Sequence, residues 1–331
     1  MTRPWQIALV VAALAAVPFV TQSNTVLNFL VFALLIALAG QGWNIIGGYG
    51  GQYSFGHAAF FGTGAYATAI LQMRYGVNAW VGFVAGIAAG AVVGAIIGGL
   101  AFRAGLRSSY FALVTLAFAE VLRILASVTP VTGAGVGILI KLDLRPEAFQ
   151  FQSRAVFYLL ILALVAVSLT ITQMLERSRF GAWLIAVREN EDAARALGVN
   201  ATAVKFGGMV LSAVVTAAAG CFYAQYFLFV DAGIAYGPWI SIEALLTPII
   251  GGAGTVFGPL VGALAVKALG EGAKLWTGDV PGLDLMIYGA LLVIVIAFAP
   301  AGLVGTLVNA RQRVARRLRA PRKRTAESVR G

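Results

Sequence analysis

The chain has 331 residues, of which 60% are hydrophobic and only 11% charged, and its mean hydropathy is +0.88. Soluble domains carry about a quarter charged residues, so this composition excludes one and points to a polytopic membrane protein. The net charge of +11 does not mark a nucleic-acid binder either, because nine of the 24 Lys and Arg follow Val308 in one basic cluster, the pattern of a cytoplasmic anchor on anionic headgroups.

In chain order, apolar runs at 5–22, 26–46, 57–73, 79–102, 108–128, 155–175, 204–229, 240–251, 255–270 and 284–299 give about ten candidate transmembrane helices. Stretches such as Ala79 to Leu100 and Val156 to Ile171 are continuously apolar instead of alternating. That excludes a β-barrel and leaves an all-α helical bundle in the lipid bilayer. With Arg3 inside, the N-terminus, 103–107, 176–203 and the tail hold sixteen Lys and Arg, with Lys205 at the membrane edge, against five (Arg74, Lys141, Arg145, Arg154, Lys274) outside. Both termini are therefore expected in the cytoplasm. The chain divides into a transmembrane unit, 1–308, carrying a cytoplasmic loop at 176–203, and a basic tail, 309–331.

Individual runs carry further information. The first, with Arg3 before it and Ala13-Leu14-Ala15 near its end, has the outline of a signal peptide, but a second apolar run follows at once and favours a retained span. Gly82, Gly86, Gly90, Gly94 and Gly98 recur every fourth residue, a stripe that lets two helices approach closely. The run at 240–251 has barely 12 residues before Gly251-Gly252-Ala253-Gly254. Because a re-entrant hairpin would put the nine-charge tail outside, it is expected to cross as a short broken span.

The soluble loop is equally readable. Asn190 is placed to cap a helix whose first turn carries Glu191 and Asp192, and Gly198 stands at the stop position. Two turns are too few to be stable alone, so this helix should rest on its own bundle or on a partner. Ala193, Ala194 and Leu197 form its apolar face, flanked by Arg188 and Arg195. The single cysteine, Cys221, and single histidine, His57, exclude a disulfide framework and a zinc centre. No phosphate-binding G-x-x-x-x-G-K-[ST] string occurs, so no cofactor is expected, and any ATP hydrolysis belongs to another subunit.

Several strings together carry a family likeness. Gly42-Trp43-Asn44, Ser54-Phe55-Gly56-His57-Ala58-Ala59-Phe60-Phe61-Gly62, Tyr110-Phe111-Ala112-Leu113, the 188–198 loop, Ser241-Ile242-Glu243, Gly251-Gly252-x-Gly254-Thr255 and Pro300-x-Gly302-Leu303 occur in order along nearly the whole chain. In these the chain resembles the M-type permease subunits of branched-chain amino acid ABC importers. The resemblance implies a second related permease, two cytoplasmic ATPase subunits, a periplasmic solute-binding protein and an inner-membrane location. It also implies that the 188–198 loop, with Arg188, Glu189, Asn190, Ala193, Ala194, Leu197 and Gly198, couples to the ATPase. Two departures stand out: Thr132-Gly133-Ala134-Gly135-Val136-Gly137-Ile138 lacks the acid common in this stretch, and Pro248 interrupts a span. They leave the cargo open between leucine, isoleucine or valine and urea, amides, other amino acids or small carboxylates.

The ionisable residues within spans complete the list. Glu120 and Arg123 at i, i+3 can neutralise each other. Glu243 has no sequence neighbour of opposite charge, so it and Ser241 either line a passage or cap a helix end. Ser54 lies near a Gly-rich break, and His57 reads as a hydrogen-bonded interior residue more readily than as a proton relay. An ion-coupled secondary transporter acting alone is the competing class. A membrane enzyme would need clustered acids or metal ligands that the 13 scattered Asp and Glu do not offer.

Overall fold

The structure is a computed structural model that describes residues 3–21, 23–106, 108–277, isolated positions between 283 and 293, and 302–306. Nine of the ten expected runs coincide with helices, while the tenth, 284–299, lies almost wholly outside the described residues and the tail 309–331 wholly so. By length and composition, six helices among the described residues can cross a membrane.

The first run is two helices, α1 (Pro4–Ala15) and α2 (Val17–Val20), with Pro18 inside the first turn of the second. It is followed by α3 (Asn24–Trp43), which continues as a π-helical turn, Asn44–Tyr49. Every residue from 33 to 50 is buried, so α3 is the axis around which the rest is laid. Next come α4 (His57–Tyr75), α5 (Ala79–Arg103) and α6 (Ser108–Val128). An irregular segment with a short strand, β1 (Ile138–Leu139), leads to α7 (Arg154–Arg177), α8 (Arg179–Glu189) and α9 (Glu191–Ala196). The chain then runs through α10 (Ala201–Phe227), β2 (Phe229–Val230), α11 (Ala232–Ala235), α12 (Pro238–Gly251) and α13 (Gly258–Thr277).

The glycine stripe does what its spacing predicts. A Cβ at Gly90 would overlap the Ala217 methyl, one at Gly94 the Ala213 methyl, and one at Gly86 would meet Thr68 and Cys221. α5 thus lies against α10 and α4 at a distance only glycine permits. At one end of the bundle Arg188 donates to the Gly48 carbonyl (2.7 Å) and the Gly254 amide donates to Asn44 Oδ1 (2.8 Å). At the other, Arg74 donates to the Pro130 carbonyl (3.1 Å), Trp80 Nε1 to the Pro146 carbonyl (2.8 Å), and β1 pairs antiparallel with β2, Ile138 opposite Val230. Segments that the charge count assigns to one side of the membrane are in contact with one another. At that second end the Arg145 guanidinium holds the Asp143 carboxyl below the usual carboxylate range. The first run is docked as a span would be: α1 lies along α7, with the Tyr158 hydroxyl donating to the Leu14 carbonyl (2.8 Å).

Candidate transport site and coupling helix

Between α3 and α4 the backbone leaves the helix inside the bundle. After Gly50 it runs without regular structure to Gly56, alternating buried Gln52 and Ser54 with exposed Tyr53 and Phe55. Irregular backbone at membrane depth is tolerated only where protein or water satisfies it. Here Trp43 Nε1 donates to the Ser54 carbonyl (2.8 Å), the Phe55 amide to Thr115 Oγ1 (3.2 Å) and the Gly56 amide to Ser54 Oγ (3.2 Å). α4 therefore starts inside the bundle, and its free first-turn amide at Ala58 donates to Ser241 Oγ of α12 (2.9 Å). Ser241 thus accepts, from a different helix, one of the amides that the start of α4 leaves free.

His57 is fully buried, with Nε2 2.8 Å from Ser212 Oγ. Ser212 spends its own proton on the Gly42 carbonyl (2.7 Å). The His57 proton must therefore sit on Nε2, leaving Nδ1 as a buried acceptor with no hydrogen-bond partner among the described residues. This is an interior bond joining α3, α4 and α10, with no second group on the ring to continue a relay. Ser212 lies eleven residues beyond the start of α10, roughly 16 Å at 1.5 Å per residue, so the knot sits deep in the bundle.

Glu243 takes its charge partner from another helix. It has no charge partner in nearby sequence, but Lys267 of α13, 24 residues later, donates to both its carboxylate oxygens at 2.5 and 2.6 Å. The ammonium also lies 4.3 Å from the centroid of the Phe32 ring. Both side chains are mostly buried, and the pair borders a cavity of about 1020 Å³ that the aromatic rings of Phe29, Phe32, Phe157 and Tyr226 also line. Gln225 is fully buried, borders the same cavity, and its Oε1 has no hydrogen-bond partner among the described residues. Of the four passage candidates, Glu243 borders this space, whereas Ser54, His57 and Ser241 are buried in hydrogen-bonded packing. The short span is broken as expected: α12 alone covers about 21 Å, and α11 with α12 makes the 20-residue stretch Ala232–Gly251. Pro248 sits inside α12, whose end is tied to the Gly-rich turn behind it by Asn44 and Gln41, donating to the Thr255 and Val256 carbonyls.

The loop helix α9 is capped as its sequence predicts, with Asn190 extended and its Oδ1 accepting from the Ala193 amide (2.9 Å). Gly198 has φ +86°, a left-handed stop. The expected face of Ala193, Ala194 and Leu197 is divided, however. Ala194 is buried, whereas Ala193 and Leu197 point outward, Leu197 being 86% exposed. Six residues make under two turns, so a helix resting on its own bundle must give one of its three apolar positions to that contact. Arg188 and Arg195 do not flank a common face: Arg188 turns to Gly48 and Glu189, Arg195 to Glu191 (2.7 Å). The anchor of α9 was missed in sequence. Lys205, expected at the membrane edge, is 2% exposed and donates to both oxygens of Glu191 at 3.0 and 3.1 Å, beside the Phe102 ring.

Among the described residues, six helices long and apolar enough to cross a membrane, packed around an internal break with an ion pair in the bundle and a capped helix at one end, make this an all-α multi-pass membrane protein. The family model described as the permease component of the branched-chain amino acid transport system matches residues 25–296, and the chain belongs to that family. It is 29% identical to the high-affinity branched-chain amino acid transport system permease protein LivM of Escherichia coli, over 90% of this chain and 74% of the relative. It is 28% identical to the LivM protein of Salmonella typhimurium over 90% of this chain and 73% of that one. It is also 28% identical to the fructose import permease protein FrcC of Rhizobium meliloti over 43% of this chain and 41% of that protein. No solved structure matches the chain.

Proposed function

We propose that this chain is a transmembrane subunit of an ATP-driven importer in the inner membrane, passing branched-chain amino acids or related small polar solutes from a periplasmic binding protein to the cytoplasm. It works with a second related permease and two cytoplasmic ATPase subunits, and is not itself an enzyme. Ten spans with both termini cytoplasmic fit the basic asymmetry and the grouping of loops at the two ends. Ser54, His57, Ser241 and Glu243 belong to the passage: the first three as hydrogen-bonded wall that holds the helix break open, Glu243 as the residue at its cavity. The relatives named for branched-chain amino acids and for fructose support a passage of broad tolerance whose selectivity resides in the binding protein.

The observation that carries the reading is α9. A capped helix of six residues, pinned to α10 through Glu191 and Lys205, holds Leu197 and Ala193 out from the bundle. A rigid apolar projection of this kind serves a partner, and the 188–198 segment is where an ATPase would dock. In the purified complex, Leu197→Arg should leave the bundle folded while ATPase co-purification and ATP-driven uptake both fall at least tenfold. Uptake by the chain alone, driven by an ion gradient, would overturn the reading in favour of a secondary transporter.

A further inference from the structure

Helix α6 exposes something that a lipid-facing helix should not. Leu113, Leu116, Val121 and Ile124 are exposed along it, and so, well inside its length, are Glu120 and Arg123, whose side chains are 48% and 34% exposed. The two are joined by a two-pronged bond, Arg123 Nε to Glu120 Oε2 at 2.8 Å and Nη2 to Oε1 at 2.6 Å. Charged side chains within spans face protein or a water-filled space, because acyl chains offer them nothing. Nor is this snorkelling, in which a long side chain carries its charge toward the nearer membrane surface. Arg123 lies five residues from the end of α6 at Val128 and reaches the other way, back one turn to Glu120.

A second feature adjoins the first and excludes lipid independently. The Phe55 amide is bonded to Thr115 of α6, so the irregular segment 51–56 lies against this helix, and it exposes Tyr53 and Phe55. Non-helical backbone does not stand open to hydrocarbon. α6 thus carries an exposed charged pair and is contacted, through its buried Thr115, by an irregular segment with exposed rings, and neither feature suits lipid. We propose that this face of α6 lines a water-filled passage closed by a second permease subunit of the same fold, and that Glu120 and Arg123 form a transient docking station for zwitterionic amino acids. The proposal rests on the importer reading above and assigns it a face and a charge pair. A two-fold arrangement sets α6 opposite its counterpart. The carboxylate of an α-amino acid then meets the free donors of Arg123 while its ammonium meets Glu120, and the internal ion pair reforms as the solute leaves.

The test uses the complete complex in proteoliposomes, with binding protein and L-leucine. Cys221 is fully buried, with its thiol donating to the Gly64 carbonyl, so an introduced cysteine is read against a silent background. Ala117→Cys, on the exposed side of α6, should react with a charged, membrane-impermeant methanethiosulfonate at least tenfold faster than Val92→Cys, an exposed position on α5. It should also cross-link to the second permease. Equal inertness at both positions would give this face to lipid and overturn the passage. The double variant Glu120→Gln, Arg123→Gln should lower leucine uptake at least tenfold at unchanged thermal stability. Uptake at the wild-type rate would overturn the docking station. Failure of the unmodified complex to import leucine with ATP would instead count against the importer reading, while labelling at Ala117→Cys would still report on the face.

Discussion

Helices α10 and α6 are both long and apolar enough to cross a membrane, yet 72% of the central stretch of α10 is buried within the chain and only 28% of that of α6. The difference follows from their small residues. α10 offers Ala213, Ala217 and Gly220 to the glycines of α5 and the backbone of α4, so three helices close on one another with nothing between them. α6 carries Leu, Val, Ile and Phe on most of its surface and touches α4 and α11 only lightly. Similar hydropathy therefore supports two roles. α10 is a wall that cannot move without breaking the bundle, and α6 is a border whose exposed side is left for something else.

The comparison breaks most visibly at the seam. Gly90→Leu puts a branched side chain where even a methyl overlaps Ala217. Overpacking of this kind costs about 1–3 kcal/mol where a core can adjust, and here the obstacle is a neighbouring helix. The folded yield in detergent should collapse, with any surviving protein melting more than about 5 °C lower. Leu113→Ala on exposed α6 should leave melting within about 1 °C. Equal sensitivity at the two sites would remove the distinction between wall and border.

The next effect comes from charge pairs on or beside the wall. Lys205→Ala strands Glu191, which is 10% exposed, although Arg195 still reaches it. Breaking a fully buried pair costs about 3–5 kcal/mol, so with that second partner a loss of about 1–3 kcal/mol is expected, visible as lower melting and faster proteolysis within 188–198. Lys267→Met similarly leaves Glu243 unpaired. The double variant Lys267→Met, Glu243→Gln should recover most of the lost stability, since replacing both members of a buried pair is often close to neutral. A double variant as unstable as the single would show that the pair is needed for packing and not for charge balance.

How far such a map can be read from sequence depends on the distance over which each feature acts. The cap at Asn190, the stripe from Gly82 to Gly98 and the Glu120–Arg123 pair all lie within one or a few helical turns, and each reappears in the structure. The helical class and most of the runs were legible for the same reason. Lys267 could not be paired with Glu243, because the helix that carries Glu243 ends at Gly251 and a turn of unknown geometry intervenes. Lys205 looked like an interfacial lysine because nothing within its own helix shows that Glu191 stands over it. The irregular stretch 51–56 fell between two apolar runs and was marked only by Ser54 near a Gly-rich break. Gly47-Gly48-x-Gly50-Gly51 before it was the available signal, and the side alternation of Gln52, Tyr53, Ser54 and Phe55 only becomes a pattern once their burial is known.

The smallest effect sharpens the comparison most, because it uses the same chemistry as the buried pairs in the opposite setting. Glu120 and Arg123 make as good a bond as Glu243 and Lys267, two-pronged and short. In α6, however, both side chains are a third to a half exposed, and an exposed pair contributes little because water competes for both ends. The double Gln variant should therefore melt within about 1 °C of wild type. Were the exposed side of α6 in contact with lipid, removing the charged pair from hydrocarbon would raise the melting temperature clearly, because acyl chains solvate neither group. Differential scanning fluorimetry of the complete complex in lipid nanodiscs separates the outcomes: no shift agrees with a watered face, a clear rise with a lipid-facing one, and a clear fall would make α6 part of the wall after all.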